Sequence, residues 1–359
     1  NFQVYVGTAS PYNFNGLVRH YFLREGGNVA DIQVNLVGKD ERKEQSHAIA
    51  KRLRGPIQEI GKKFRANIKI AEIPPGPPVL STLVAEIYGP NEKERVGLAE
   101  KIKGIFEKTD GVVDTDWYVE DDQEKYRFVI DRERAALYGI STDDVAKTFR
   151  VALSGASAGL AHLEEEKEAV DIMLRLPLAD RSRMEALSAI YLQTSSGGTV
   201  PLSQVVKIEK GIEDKTLYRK NLRSVTYVTG DVAGTEESPV YAIMKMGKEI
   251  EKIETPGGYK VEQYAARQPW MEDKLAMKWD GEWHITYEVF RDMGAAFVVS
   301  LILIYLLVVA WFRDFKVPFV IMAPIPLTLI GIFPGHAAFG AFLTATSMIG
   351  FIALAGIIV

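Results

Sequence analysis

The stretch Gly155-Ala156-Ser157-Ala158-Gly159 matches G-x-S-x-G, a pattern that exposes a serine hydroxyl on a sharp turn leading from a strand into a helix. Here the preceding segment, Thr142 to Leu153, reads as helical, so the order is reversed. A small-residue helix exit is the better reading, and a hydrolase is rejected. The five histidines, His20, His47, His162, His284 and His336, are too dispersed to suggest one metal site. No P-loop, H-E-x-x-H or dinucleotide fingerprint occurs. Catalysis has no visible seat, so the chain reads as no enzyme, without metal or cofactor. It has no cysteine, which excludes disulfides and thiolate sites without fixing a compartment.

Other residues bear on binding. Phe2, Tyr5, Tyr12 and Phe14, with Tyr21 and Phe22, surround the polar, glycine-containing stretch Ser10 to Gly16. Rings on an exposed loop offer contact area at low entropic cost and can line a pocket for apolar ligands; ordinary core packing is the equal alternative. The run Glu164-Glu165-Glu166-Lys167-Glu168 reads as a solvated loop. A net charge of -4 with no basic face argues against nucleic acid, whose phosphates demand clustered positive charge.

These residues must be positioned by elements that face two different solvents. Of 43 Lys+Arg and 47 Asp+Glu, only Arg313, Asp314 and Lys316 follow Asp292. The uncharged run Met293 to Phe312 reaches ~30 Å at ~1.5 Å per residue, the thickness of a bilayer core. From Val317 to Val359 the only ionisable side chain is His336. A titratable group inside a membrane can carry protons, but Pro334-Gly335 beside it reads as an interfacial turn. That turn divides the run into spans at 317–335 and 341–359, three crossings with 293–312. Ala341, Ala345, Gly350, Ala353, Ala355 and Gly356 suit close helix packing in the last span. Arg313 and Lys316 put their loop on the cytoplasmic side, which leaves residues 1–292 outside the cytoplasm. Trp270, Trp279, Trp283, Tyr287 and Phe290 fall in a membrane-approach segment, 269–292, where amphipathic rings meet headgroups.

The first 268 residues read as α+β. Strands are expected at Asn28 to Val37 and Ala66 to Ile73, around a helix at Glu41 to Arg65 that Gly55-Pro56 should kink. The Pro74-Pro75-Gly76-Pro77-Pro78 linker follows. A strand at Leu80 to Tyr88, a helix at Asn91 to Lys108 and a strand at Gly111 to Val119 find partners about a hundred residues later: a strand at Ser224 to Asp231, a helix at Ser238 to Glu254 and a strand at Tyr259 to Ala265. Together they spell a split β-α-β-β-α-β, the ferredoxin-like motif. The insertion, Glu120 to Gly211, has a strand at Lys125 to Ile130, a helix at Thr142 to Leu153, strands near Ile172 and Ile190, and a Ser196-Gly197-Gly198 turn. It is large enough for a separate lobe. The chain begins within the alternation Phe2, Val4, Val6 and ends within an apolar run, so it reads as an internal fragment.

Two ferredoxin-like units, an inserted lobe, and spans containing Ala323-Pro324-Ile325-Pro326-Leu327 and Thr346-Ser347-Met348-Ile349-Gly350-Phe351 through Val359 resemble the second half of resistance-nodulation-division efflux transporters of the multidrug type. Leu137-Tyr138-Gly139-Ile140-Ser141-Thr142-Asp143-Asp144-Val145 is similar to that family's docking lobe. The resemblance implies a proton-driven homotrimeric antiporter in the inner membrane of a Gram-negative bacterium, with residues 1–292 in the periplasm. Its partners would be a periplasmic adaptor (membrane fusion) protein, an outer-membrane channel protein, membrane lipid and amphiphilic small-molecule substrates. Residues 1–78 would be a partial first porter subdomain, 79–119 with 212–268 the second, and 120–211 the docking lobe. Phe2, Tyr5, Tyr12 and Phe14 would be substrate-binding, Tyr12 and Phe14 falling where the family carries a loop of aromatics between drug pockets. No proton-relay residue lies within the spans; the resemblance puts one just beyond Val359, with acidic partners upstream.

Two alternatives stand beside multidrug export: metal-ion export within the same family, and a protein-export accessory subunit of related membrane fold. Copper and silver exporters of the family use Met thioethers, which suit soft ions, yet the first Met is Met173. Residues 1–119 are therefore expected to bind neither ion.

Overall fold

The computed structural model describes residues 1–72, 79–233, 238–341 and 343–358. The Pro74–Pro78 linker and the last residue of the expected strand at 66–73 lie outside them. The chain forms two compact units, Asn1–Val119 with Thr216–Val359, and Glu120–Lys215.

The core of the first unit is a five-stranded sheet in the order Glu262–Tyr264, Ala276–Gly281, Leu83–Tyr88, Thr226–Val232, Val112–Trp117. All neighbours are antiparallel except the first two strands, which run parallel. Pairing puts Trp279, Ala85, Val228 and Trp117 in one row across the sheet. Alternation then sends their odd- and even-numbered neighbours to opposite faces. On this face lie helices Glu92–Lys108 and Pro239–Ile250, which bury Leu98, Ala99, Ile102 and Phe106, and Ala242, Ile243, Met246 and Ile250. Asn91 caps the first helix by accepting from Glu94 N–H at 2.9 Å, and Pro239 opens the second, where no intrahelical donor is needed. Phe106 stacks on Trp279 with ring centroids 6.1 Å apart.

Strand Ala276–Gly281 is a correction to the expected membrane-approach segment. Its polar residues Lys278 and Asp280 hid it, because they are buried against ionic partners and not turned to water. Trp279, expected at the headgroups, belongs to the sheet core, and Trp283 donates to Ala265 O at 2.9 Å. A second correction concerns 66–72, which forms no strand. Side chains hold it instead: Asp114 Oδ2 accepts from Ile70 N–H at 3.4 Å, and Asn67 Nδ2 donates to Asp116 Oδ1 at 3.2 Å. Among the described residues, strands Phe2–Val6 and Ala30–Val34 form a two-stranded antiparallel sheet. Helix Ser46–Phe64 continues through Pro56.

Helix Glu282–Phe312 follows strand Ala276–Gly281 directly and has 31 residues, ~46 Å at ~1.5 Å per residue. The next apolar stretch is helical from Val317 to Phe339, 23 residues, with steps at Ala323 and Thr328. Pro334-Gly335 is not the expected turn: Pro334 lies inside helix Leu329–Phe339, which ends at Gly340 in the left-handed conformation (φ 61°). A proline within an apolar helix is tolerated when neighbouring groups satisfy the freed carbonyl. These are two helices long and apolar enough to cross a membrane; helix Ala345–Ile358, at 14 residues, is shorter than that. It packs through Phe351 on Phe297, centroids 5.4 Å apart, with Ala355 buried.

In the second unit, Glu124–Ile130 pairs antiparallel with Val206–Ile212. Ala135, Ile140, Val145, Leu192, Leu202 and Val205 form its core, with Phe128 and Phe149 rings 4.4 Å apart. Ser141 and Asp144 close a reciprocal cap on helix Thr142–Phe149. Residues 156–161 form a strand paired with Val170–Leu174, so Ser157 follows a helix and starts no other, the reverse of a nucleophile elbow.

Phe106→Ala removes the ring that joins helix Glu92–Lys108 to Trp279. It is expected to lower stability by about 3–5 kcal/mol, read from denaturation of the full chain in detergent followed by tryptophan fluorescence; an unchanged midpoint would contradict this core.

Candidate functional site

The second face of the sheet is polar yet buried. In the row below Ala85, register aligns Lys278, Glu86 and Tyr227. Glu86 is 0 % exposed. Lys278 Nζ lies 3.3 Å from Glu86 Oε2 and 3.3 Å from Asp280 Oδ1. Lys220, from the hairpin Arg219–Ser224, contacts both Glu86 and Asp280. Tyr88 donates its hydroxyl to Glu86 Oε2 at 2.8 Å, and Gln268 Nε2 donates to Tyr88 Oη at 2.8 Å. Burial, then the adjoining Asp280, pushes the Glu86 carboxyl above its ordinary range. Burial opposes ionisation of Asp280 too, but Glu86, Lys220 and Lys278 hold it well below that range. The surrounding charges thus favour ionisation at Asp280 over Glu86.

At the other end of the sheet, the N-terminal segment is joined by charge. Arg19 Nη1 lies 3.1 Å from Asp231 Oδ2, whose other oxygen accepts from Ser81 Oγ at 2.9 Å and Thr82 N–H at 3.1 Å. Burial disfavours the Asp231 charge, but Arg19 and these donors hold its pKa below the usual carboxylate value. Arg54 Nη1 reaches Asp114 Oδ2 at 3.2 Å, and Lys69 pairs with Asp116. Between the two charge clusters stands a group of phenol rings. Tyr118 lies 5.2 Å from Tyr218 and 5.5 Å from Tyr227 between centroids. The Arg24 guanidinium sits 5.0 Å from the Tyr21 ring and 5.3 Å from that of Tyr118, within cation–π range. Sequence reading missed Tyr118, Tyr218 and Tyr227, since strand pairing alone assembles them: Tyr118 N–H donates to Tyr227 O at 2.9 Å.

The four expected binding residues are dispersed. Phe2 and Tyr5 fall on opposite faces of strand Phe2–Val6, Phe2 opposite Val34 and 68 % exposed, Tyr5 donating to Gln3 Oε1 at 3.1 Å. Tyr12, 79 % exposed, packs on Phe22 with centroids 5.8 Å apart. Phe14, 52 % exposed, is the first residue of helix Phe14–Val18, capped by Asn13. Among the described residues none of these four rings packs on another of the four. A cavity of ≈ 590 Å³ opens between helix Glu92–Lys108 and Ile253–Pro256, lined by Asn91, Glu94, Lys101, Ile253, Thr255 and Leu275 among others, and contains none of them. His336 bonds to Ile332 O at 2.9 Å through Nδ1 and to Ser347 Oγ at 2.8 Å through Nε2, tying helix Leu329–Phe339 to helix Ala345–Ile358. The polar face of the sheet holds charges in balance and positions segments.

The family described as AcrB/AcrD/AcrF matches residues 9–359. The cobalt-zinc-cadmium resistance protein CzcA of Cupriavidus metallidurans is 23 % identical over 286 residues, 78 % of this chain and 25 % of that protein. The toluene efflux pump membrane transporter TtgB of Pseudomonas putida is 25 % identical over 212 residues, 58 % of this chain and 18 % of its own length. A crystal structure of a heavy metal efflux pump aligns with a TM-score of 0.63 at 19 % identity, covering 91 % of this chain and 32 % of that one; at this identity the likeness shows the fold, a mixed α+β body with apolar helices. The chain spans about a quarter of the length of the curated relatives it matches over most of its residues.

The Arg19–Asp231 pair gives a pH test. A carboxylate whose folded pKa is depressed stabilises above its unfolded pKa of ~3.9 and loses that contribution as pH falls through the folded value. Arg19→Met leaves Asp231 buried and unpaired, so it should lower stability at neutral pH by about 3–5 kcal/mol. In thermal melts of the full chain, the gap from wild type should narrow as pH drops below ~4; a gap constant with pH would locate the loss elsewhere.

Proposed function

Because this chain belongs to the AcrB/AcrD/AcrF family of efflux transporters, and so is part of a transporter and not an enzyme, we propose that it is the porter-and-membrane segment of a proton-driven pump for amphiphilic small molecules. The observation that carries the proposal is the direct passage of a buried sheet strand, Ala276–Gly281, into a 31-residue helix that is uncharged from Met293 to Phe312. A domain that handles substrate in water is thereby joined covalently to helices that sit in lipid.

In this reading the five-stranded sheet is a ferredoxin-like porter subdomain, 79–119 with 212–268. The strand order supports it: Glu262–Tyr264, Leu83–Tyr88, Thr226–Val232 and Val112–Trp117 follow the order of the split motif, with Ala276–Gly281 inserted between the first two. Residues 1–78 are part of a neighbouring porter subdomain, 120–211 the docking lobe, and 1–292 are periplasmic. The helices at 293–312 and 317–339 are spans of an inner-membrane protein, and the shorter apolar helix 345–358 packs against them. The pump is a homotrimer working with a periplasmic adaptor and an outer-membrane channel. Phe2, Tyr5, Tyr12 and Phe14 contact substrate; the exposure of Tyr12 and Phe14 supports the reading for those two.

A second reading, export of divalent metal ions, draws support from relatives named for cobalt, zinc, cadmium and nickel resistance. Among the described residues no three His, Cys, Asp or Glu side chains converge as metal ligands would, so in that reading the ion would bind outside this segment or through other donors. Protein-export assistance remains the reading of another class.

Phe14→Ala in the intact transporter is expected to alter susceptibility to some dyes, detergents or lipophilic antibiotics several-fold more than to others, at unchanged protein level. A uniform loss tracking abundance would return Phe14 to packing, and altered zinc or cobalt tolerance alone would favour the second reading.

A further inference from the structure

The junction between sheet and membrane helix contains a titratable side chain with two charged neighbours. His284 lies in the first turn of helix Glu282–Phe312, its side chain 21 % exposed. Its Nε2 is 3.4 Å from Glu288 Oε2 and its Nδ1 is 3.9 Å from Asp280 Oδ1. Spacing of four puts Asp280, His284 and Glu288 along one side of the strand-to-helix passage. The two carboxylates address opposite ring nitrogens, so they form a chain with the imidazole and cannot share one cation with it. Among the described residues the buried Nδ1 has no hydrogen-bond partner. A neutral imidazole has one N–H and can donate to only one carboxylate; an imidazolium donates to both.

The charges acting on His284 come from every side. Burial, with Lys278 from strand Ala276–Gly281 and Lys220 from the hairpin Arg219–Ser224, pushes the imidazole below its ordinary pKa, against Asp280 from the same strand and Glu288 from its own helix. Beyond Asp280 the chain of contacts reaches Glu86 through both lysines. Beyond Glu288 it reaches Arg291 at 3.7 Å, itself 2.6 Å from Asp292. Helix Pro239–Ile250 also contacts this helix; its Lys245 and Lys248 are exposed. Between strand and helix stands Gly281, at φ 77° and ψ −145° with no side-chain cap. A Cβ there would lie 2.5 Å from Ser81 O, so only glycine fits the joint.

We propose that His284 is a proton-operated clasp between the αβ sheet and the membrane helix. Protonated, it bridges Asp280 and Glu288 and holds the first turns of the helix in line with the last strand. Neutral, it releases one carboxylate and lets the helix pivot at Gly281. The clasp is closed on the acid side and opens as pH rises through a value below the ordinary imidazole range, because burial and the two lysines disfavour the charged ring. This inference holds for either substrate class.

Hydrogen–deuterium exchange on the intact protein in detergent tests it. After correction for intrinsic exchange, protection of amides 286–290 in the wild type should fall about fivefold between about pH 4.5 and about pH 7. His284→Gln, neutral throughout, should stay at the open level at every pH. Glu288→Gln, which leaves the imidazole in place and removes one partner, should abolish most of the pH dependence and serves if His284→Gln misfolds. A wild type without the pH step, or a step that persists in both variants, overturns the clasp.

Discussion

A carboxyl group without solvent contact at the centre of the central strand is the constraint on which this αβ body depends. Glu86 lies between two neighbouring strands of a five-stranded sheet, where an unpaired charge would cost several kcal/mol. Its compensation fixes the surroundings. Lys278 must sit opposite it in register, which sets the pairing of strand Ala276–Gly281. Lys220 must reach it, which folds the Arg219–Ser224 hairpin over the face. Asp280 must balance the second lysine, and one residue later the chain leaves the sheet for the membrane helix. The opposite face needs no such arrangement, since two amphipathic helices bury it with apolar side chains.

The same contrast explains what could be read from the residues. Helices Glu92–Lys108 and Pro239–Ile250 and the strands Leu83–Tyr88, Val112–Trp117 and Thr226–Val232 were legible within a few positions, because apolar periodicity and caps specify them locally. Strand Ala276–Gly281 was not, because Lys278 and Asp280 look solvated until their partners from positions 86 and 220 are brought to them. The missing strand over 66–72 has the same origin: its alternation is real, but Asp114 and Asp116 supply bonds that a ladder would have supplied. Pro334-Gly335 misled by composition, since helix Leu329–Phe339 continues through the pair. Of the candidate site, the N-terminal aromatics were visible as residue types, while the Tyr118, Tyr218 and Tyr227 cluster exists only through pairing across a hundred residues.

Strand Ala276–Gly281 and helix Glu282–Phe312 are continuous, so the sheet and the long helix are joined without an intervening loop. The Arg19–Asp231 pair secures the N-terminal segment beside the joint at Gly281, and the Lys220–Glu86–Lys278–Asp280 cluster ties strand Ala276–Gly281 to its neighbours in the sheet. Such pairs contribute less to net stability than to fixing one arrangement over another, which suits a domain whose segments must move as units.

The central claim, proton-driven export of amphiphiles, is tested most directly by accumulation of a fluorescent amphiphilic dye in energised cells with and without the intact transporter. The account predicts lower dye content when the transporter is present and loss of that difference when a protonophore collapses the proton gradient. Equal dye content in both strains, together with lower cellular zinc, cobalt or nickel in the strain that has the transporter, would contradict it.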